Sequence, residues 1–281
     1  MYTPVSHLRT ILIPTDFSEV ATRATDYALE LAAQKGARVI LMHAYYTPPV
    51  ATSIPRELVD TMEAEKRTHA EQHLRQEAVR AARIAPTVDV SIHAESGEAI
   101  ESIVRAAETL QASLIVLGTA GEKSISESIL GSVATRVMES AACPVLTVPT
   151  TAGWRPIRQI AFACSPEDAA GEVLTSALEW AAPLRATIHC VYVGQGEEAQ
   201  AESARMQARI ADLQAAGKAV ALSIRPEHDL RVGLMRCAEE IEADLIALVP
   251  RRRYRASDPA HETLLHHMTM HSRIPLLAFH F

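Results

Sequence analysis

Apolar and polar positions follow one another along this chain in blocks of two different periods. "TILIPT" (10–15) is a short, β-branched apolar run, the pattern of a strand covered on both faces. "SEVATRATDYALELAAQKG" (18–36) then sets Ala21, Ala24, Ala28 and Leu31 on one helical face, with Gly36 as the stop signal. "ARVILMHAY" (37–45) reads as a second buried strand, and a long polar helical stretch follows over about 56–83. "VDVSIHAE" (88–95) alternates as a strand, "GEAIESIVRAAETLQ" (97–111) is amphipathic, and "SLIVLGT" (113–119) is strongly apolar. "VATRVMESA" (133–141) reads as a helix and "PVLTVP" (144–149) as a last strand. A β-α-β-α-β-α-β-α-β order predicts a doubly wound parallel five-stranded sheet with right-handed crossovers, an α/β, Rossmann-like architecture.

The same pattern is written twice. "ASLIVLG" (112–118) matches "ADLIALV" (243–249), and "CPVLTV" (143–148) matches "IPLLAF" (274–279), both at an offset of 131 residues. Near the repeat starts, "ILIPTDFSE" (11–19) matches "IAFACSPED" (160–168) at an offset of 149. The first repeat therefore carries 18 extra residues in its middle (149 − 131), where its long polar helix is matched by a shorter one near 197–216. Two tandem domains follow, 1–150 and 151–281, joined through the turn-forming "TTAGWRP" (150–156).

Composition narrows the setting. A formal charge of −7, 48% hydrophobic and 22% charged residues describe a globular chain with no general attraction to nucleic acid or anionic membrane. No apolar run approaches membrane-spanning length, and "MYTPVSHLRTILIP" lacks the basic start and long apolar stretch of a signal peptide. Cys143, Cys164, Cys190 and Cys237 show no CxxC and no paired spacing, as expected of buried free thiols in a reducing compartment. The expectation is a cytoplasmic protein.

Chemistry concentrates in "LGTAGEKSISESILGSVATRV" (117–137), which holds three of only eleven glycines. Gly118 and Gly121 flank a turn leaving a strand, where a missing Cβ lets backbone amides approach a ligand. Gly131 and Ser132 come just before the helical "VATRVMES", whose first amides and positive dipole end favour a phosphate. No GxxxxGK[ST] occurs, so this is not a Walker A loop. Glycine, two residues, glycine, nine residues, Gly-Ser, then "ACPVLTVP", resembles the nucleotide-binding signature of universal stress proteins of the UspA type; "ILIPTDFSE" and "VILMHAY" are similar to that family's first and second strands. The likeness is strong in the first repeat and weak in the second. It implies strand order 3-2-1-4-5 and ATP binding, with Mg²⁺ accompanying the triphosphate. By position, Pro14, Thr15 and Asp16 would face the adenosine, Ala44 the base, and Gly118, Gly121, Gly131, Ser132 and Val133 the ribose and phosphates. It also implies repeats pairing through their last strands, as a pseudo-dimer within the chain or a homodimer. Where family members often carry a basic residue after the second glycine, this chain has Glu122 followed by Lys123.

Several features have plainer readings. Asp16–Phe17–Ser18–Glu19 has the spacing of a capping box, and Ser165–Pro166–Glu167–Asp168 keeps a similar cap in the second repeat. At an offset of 131, Gly118, Gly121, Gly131 and Ser132 align with Val249, Arg252, Glu262 and Thr263, so the second domain lacks the glycine set and Glu262 adds repulsion. "VGQGEEA" (193–199) imitates a dinucleotide fingerprint but follows the second strand of its repeat rather than the first. The Arg251–Arg255 run reads as a solvated loop; the i,i+4 pairs His69/His73 and His267/His271, with His261 and His266 nearby, lack an obvious third zinc ligand. The expected function is ATP binding in the N-terminal domain alone, serving stress-related regulation, with no assigned catalytic residue and at most slow hydrolysis. The alternative is an interaction or small-ligand protein acting through its second domain.

Overall fold

The structure, a computed structural model, describes residues 8–46, 56–119, 128–250, 265–269 and 271–279. The chain divides into two compact units, one spanning Leu8–Thr150 and the other holding Thr151–Phe281.

In the first unit the elements run β1 (Thr10–Pro14), α1 (Glu19–Lys35), β2 (Arg38–Tyr45), α2 (Arg56–Ile84), β3 (Val90–Ser96), α3 (Ala99–Thr109), β4 (Leu114–Thr119), α4 (Ser128–Ser140) and β5 (Val145–Pro149). All strand pairs are parallel, in the order β3-β2-β1-β4-β5. The central strand explains that order: every residue of β1 is buried, and Ile11, Leu12 and Ile13 are fully so. Burying each such side chain stabilises the fold by about 1.5–3 kcal/mol, and only a strand covered on both faces can hide all three. Helix α1 buries Ala21, Ala24, Ala28 and Leu31 as its periodicity predicts, and ends where Gly36 adopts φ 65° and donates to the Ala32 carbonyl. The start of β1 is fixed by Ser113, whose Oγ accepts from the backbone N–H groups of Arg9 and Thr10 (3.0 Å each) and donates to the Thr10 carbonyl.

The second unit repeats the plan with β6 (Gln159–Ala163), α5 (Pro166–Ala170), α6 (Glu172–Ala181), β7 (Thr187–Val193), α7 (Gly196–Ala215), β8 (Val220–Arg225), α8 (Leu230–Glu240), β9 (Leu245–Leu248) and β10 (Leu276–Ala278). Its strands are again parallel, in the equivalent order β8-β7-β6-β9-β10. The polar helix α2 has 29 residues against 20 in α7, which absorbs much of the insertion read from the two offsets. One departure from the first unit was not visible in the pattern: the helix after the first strand breaks at Gly171 into α5 and α6. Asp244, which aligns with Ser113, fixes the start of β6. Its Oδ2 accepts from the N–H groups of Arg158 (2.7 Å) and Gln159 (3.0 Å). The apolar centre here includes edge-to-face contacts of Phe279 with Trp180 (5.8 Å) and Phe162 (6.2 Å). All four cysteines are free and buried, and burial pushes the Cys143 thiol up to about 12, so it is not a thiolate near neutral pH.

Candidate functional site

Ligands of doubly wound sheets sit beyond the carboxyl ends of the strands where the strand order reverses, here between β1 and β4. Ile11 pairs with Leu114 and Leu12 with Ile115. Thr15 and Asp16 follow the end of β1, and Gly118 and Thr119 close the neighbouring strand β4.

The turn after β1 is built by short-range bonds. The Thr15 N–H donates to the Met42 carbonyl (2.8 Å), tying the turn to the end of β2, where Pro14 is level with Met42. Thr15 Oγ1 accepts from the Phe17 N–H (2.9 Å), and Asp16 Oδ1 accepts from the Ser18 N–H (3.0 Å). Phe17 sits at φ 65°, a conformation costing a non-glycine residue on the order of 1 kcal/mol. The N-cap of α1 is Ser18, which accepts from the Ala21 N–H (3.2 Å). The expected capping box beginning at Asp16 is therefore corrected: the left-handed Phe17 adds a two-residue overhang before the helix, and Asp16 stands outside it with an exposed carboxylate. In the second unit Ser165, the equivalent of Asp16, caps its helix directly. Its Oγ accepts from the Asp168 N–H (3.2 Å) while Asp168 Oδ2 accepts from the Ser165 N–H (3.0 Å), the capping box read from sequence. Only the first unit holds a carboxylate clear of the helix at this point.

Beside the turn, His43 Nδ1 lies 2.7 Å from the Thr15 carbonyl. A carbonyl only accepts, so the proton is on Nδ1. The Phe17 ring lies between His43 (4.6 Å) and His73 (5.2 Å), and His73 stacks edge-on against His69 (4.3 Å). The i,i+4 histidines of α2 thus continue a column of rings. Among the described residues no group of three His, Cys, Asp or Glu could hold a metal ion. Ala44 is half-buried near the end of β2, level with Glu95 of β3, which Arg105 and His93 engage.

On the β4 side the reason for glycine at 118 is internal. A Cβ there would lie 2.6 Å from the Val20 carbonyl oxygen and 2.9 Å from its carbonyl carbon. The missing side chain admits the first turn of α1 rather than leaving a hollow for a ligand, which corrects the expectation drawn from the turn alone. Thr119 ends the strand, 1% exposed. Helix α4 starts at Ser128, so Gly131 and Ser132 lie within its first turns instead of preceding it. The Val133 N–H falls inside the helical ladder, four residues after Ile129. Val133 is half-buried. Gly121, Glu122 and Lys123 lie outside the described residues, as do the side-chain surroundings of Gly131 and Ser132.

In the second unit Val249 is half-buried just past the end of β9, while Arg251–Arg255, His261, Glu262 and Thr263 lie outside the described residues. "VGQGEEA" follows β7, the second strand of its repeat; a Cβ at Gly194 would meet the Tyr192 hydroxyl at 2.9 Å, and Gly196 adopts φ 86°, so these glycines serve a turn. Arg231 Nη1 donates to His267 Nε2 (2.8 Å), and His267 stacks on His271 (4.3 Å). Burial first, then the positive charges of His271 and Arg231, hold the His267 pKa below its ordinary 6.5, against the opposing pull of Asp229. Its acceptor nitrogen must be unprotonated, so the contact is complete above pH ~6.5 and is lost as pH falls through the lowered value. An NMR titration should show a His267 midpoint below 6.5 that rises in Arg231→Ala; a midpoint at or above 6.5 in the unsubstituted protein would refute this.

Residues 7–149 match the universal stress protein family, Usp. The chain belongs to the universal stress protein family. Among its curated relatives, a universal stress protein of Methanocaldococcus jannaschii is 35% identical over 144 residues, covering 49% of this chain and 80% of the relative. Another from Thermus aquaticus is 34% identical over 140 residues, covering 50% and 98%. The whole-chain fold matches a solved universal stress protein from Archaeoglobus fulgidus with a TM-score of 0.71, covering 99% of this chain and 98% of that one at 17% identity. A Pseudomonas aeruginosa family structure matches with a TM-score of 0.61, over 99% and 95%. Both curated matches cover about half of the chain. No described helix of this universal stress protein is long and apolar enough to cross a membrane.

Proposed function

We propose that the first unit binds ATP, with Mg²⁺ on the triphosphate, and that binding serves cytoplasmic, stress-related regulation rather than turnover. The observation that carries the reading is the Asp16 overhang. Where the strand order reverses, this chain accepts the cost of a left-handed Phe17 to hold an exposed carboxylate beside the end of β4, and the second unit has only a helix cap at the same position. A carboxylate there suits the hydroxyls of a ribose. The amide end of α4 suits phosphate oxygens, and the glycine and Gly-Ser spacing of residues 118–132 agrees with it. Gly118 contributes by letting α1 approach, not by opening space for the ligand. No residue at the site is assigned as a base for water attack, so any hydrolysis is slow.

Calorimetric titration of the full chain with ATP should give one site, abolished by Gly131→Glu, which copies Glu262 of the second repeat. Absence of binding in the unsubstituted chain would favour a non-nucleotide role exercised through the second unit.

A further inference from the structure

Strand β8 closes one edge of the second unit, with β7 as its single neighbour. The Ile188 N–H donates to the Ala219 carbonyl, and the Gly194 N–H to the Arg225 carbonyl. A parallel ladder repeats every second residue, so residues 219, 221, 223 and 225 turn their amides and carbonyls inward to β7. Those of Val220, Leu222 and Ile224 point outward. Val220 is served within the unit: its N–H donates to the Lys218 carbonyl, and its carbonyl accepts from Gln214 Nε2. The amides and carbonyls of Leu222 and Ile224 have no partner among the described residues.

Native proteins blunt such an edge with charge, proline or a bulge. Val220–Ile224 has none of these, and the adjoining Arg225 is held back by Glu240 of α8. Successive side chains of a strand point to opposite faces, so Ala221 and Ser223 share the α8 side with Arg225, and Leu222 and Ile224 face the other. Ile224 is 37% exposed, the one large apolar side chain left open among the described residues of the second unit. In the first unit the matching position is Ala94. Val90 pairs with Val39 as Val220 does with Ile188, and Ile188 aligns with Val39 at the offset of 149.

We propose that β8 pairs with β8 of a second copy of this chain, antiparallel about a twofold axis at Ser223. Self-complementarity fixes the occupant. This register sets Leu222 opposite the partner's Ile224, and Ile224 opposite the partner's Leu222. Both residues of each pair turn their backbone outward, so each pair exchanges both N–H···O bonds. The same pairs bring apolar side chains together on one face. On the other face Arg225 meets Ala221 and Ser223 meets its own copy, so no like charges oppose one another. The pairing stops at Pro226, which has no N–H to give. An unrelated extended segment would share the amides, but the matched Leu222–Ile224 pairs favour the second copy. The contact involves neither β10 nor the candidate site of the first unit.

Sedimentation velocity of the full chain over about 1–100 μM follows the association, since an interface this small is weak. The unsubstituted protein should move to higher mass as concentration rises. Ile224→Lys changes an exposed side chain, so its melting temperature should not move, but its association midpoint should rise about tenfold in concentration. Ile224→Val should associate as the unsubstituted protein does. Ser223→Cys locates the contact, because opposite residues of a non-hydrogen-bonded pair have Cα atoms about 4.5 Å apart, within disulfide reach. Mild oxidation should yield a covalent dimer of Ser223→Cys, and little of one when Ile224→Lys is added; the four native cysteines are buried. A single species at every concentration, unchanged association in Ile224→Lys, or equal cross-linking with and without Ile224→Lys overturns the proposal.

Discussion

Gly118→Ala is expected to destabilise the first unit by about 2 kcal/mol, the scale of overpacking a filled core, and to lower its melting temperature by roughly 5 °C. The added methyl group would meet the Val20 carbonyl oxygen at 2.6 Å, its carbonyl carbon at 2.9 Å and its Cγ1 at 2.7 Å. Two of these three are backbone atoms, so no rotamer change relieves them; either α1 shifts away from β4 or the strand does. Val20→Ala removes only the Cγ1 contact, and the double variant should recover only part of the loss. Gly153→Ala is the control, since a Cβ there meets nothing within 4 Å, and it should stay within about 0.5 kcal/mol of the parent. Chemical denaturation decides it. Equal stability of Gly118→Ala and Gly153→Ala would remove the packing explanation for Gly118 and return that glycine to the ligand.

That reversal of explanation shows where the sequence stopped being legible. The sheet could be read because its strands are covered on both faces, so Ile11, Leu12 and Ile13, and likewise Leu114, Ile115 and Val116, form unbroken apolar runs bounded by helical periodicity. The tandem plan could be read because buried strands constrain their residues on every side, and an offset of 131 survives from "ASLIVLG" to "IPLLAF". What stayed hidden depends on the third dimension or on near-degenerate local choices. Nothing in "LGTAG" tells that α1 passes close above Gly118. Asp16 and Ser18 are both good N-caps two residues apart, and the left-handed Phe17, unfavourable by propensity, decides between them. That α4 takes in Ser128–Ser132 ahead of "VATRVMES" was not legible either, since Gly131 and Ser132 read by propensity as a helix boundary rather than its interior.

Asp244→Ala should be the more damaging of two equivalent truncations, one in each unit. Asp244 is 8% exposed, and one carboxylate oxygen serves both the Arg158 and Gln159 N–H groups at the entry to β6. The other pairs with Arg155 Nε at 2.6 Å, in the segment that leads into the unit. Arg155 is half exposed, so that ion pair adds little by itself; the two strand-entry amides decide the outcome. Alanine would leave both without an acceptor in a nearly buried place, a loss of about 3 kcal/mol when each contributes its ordinary desolvation penalty. Ser113→Ala deprives the equivalent amides of Arg9 and Thr10, but its hydroxyl is neutral and its bonds are 3.0 Å each, so about 1–2 kcal/mol is expected. Because serine does this work in the first unit, Asp244→Ser should recover part of what alanine loses, whereas Asp244→Leu, of comparable bulk and with no acceptor, should recover none. Urea denaturation of the four variants orders them. A loss below about 0.5 kcal/mol for Asp244→Ala, the range of an ordinary surface change, would mean that water reaches those amides and that the entry to β6 is held by its strand pairing alone.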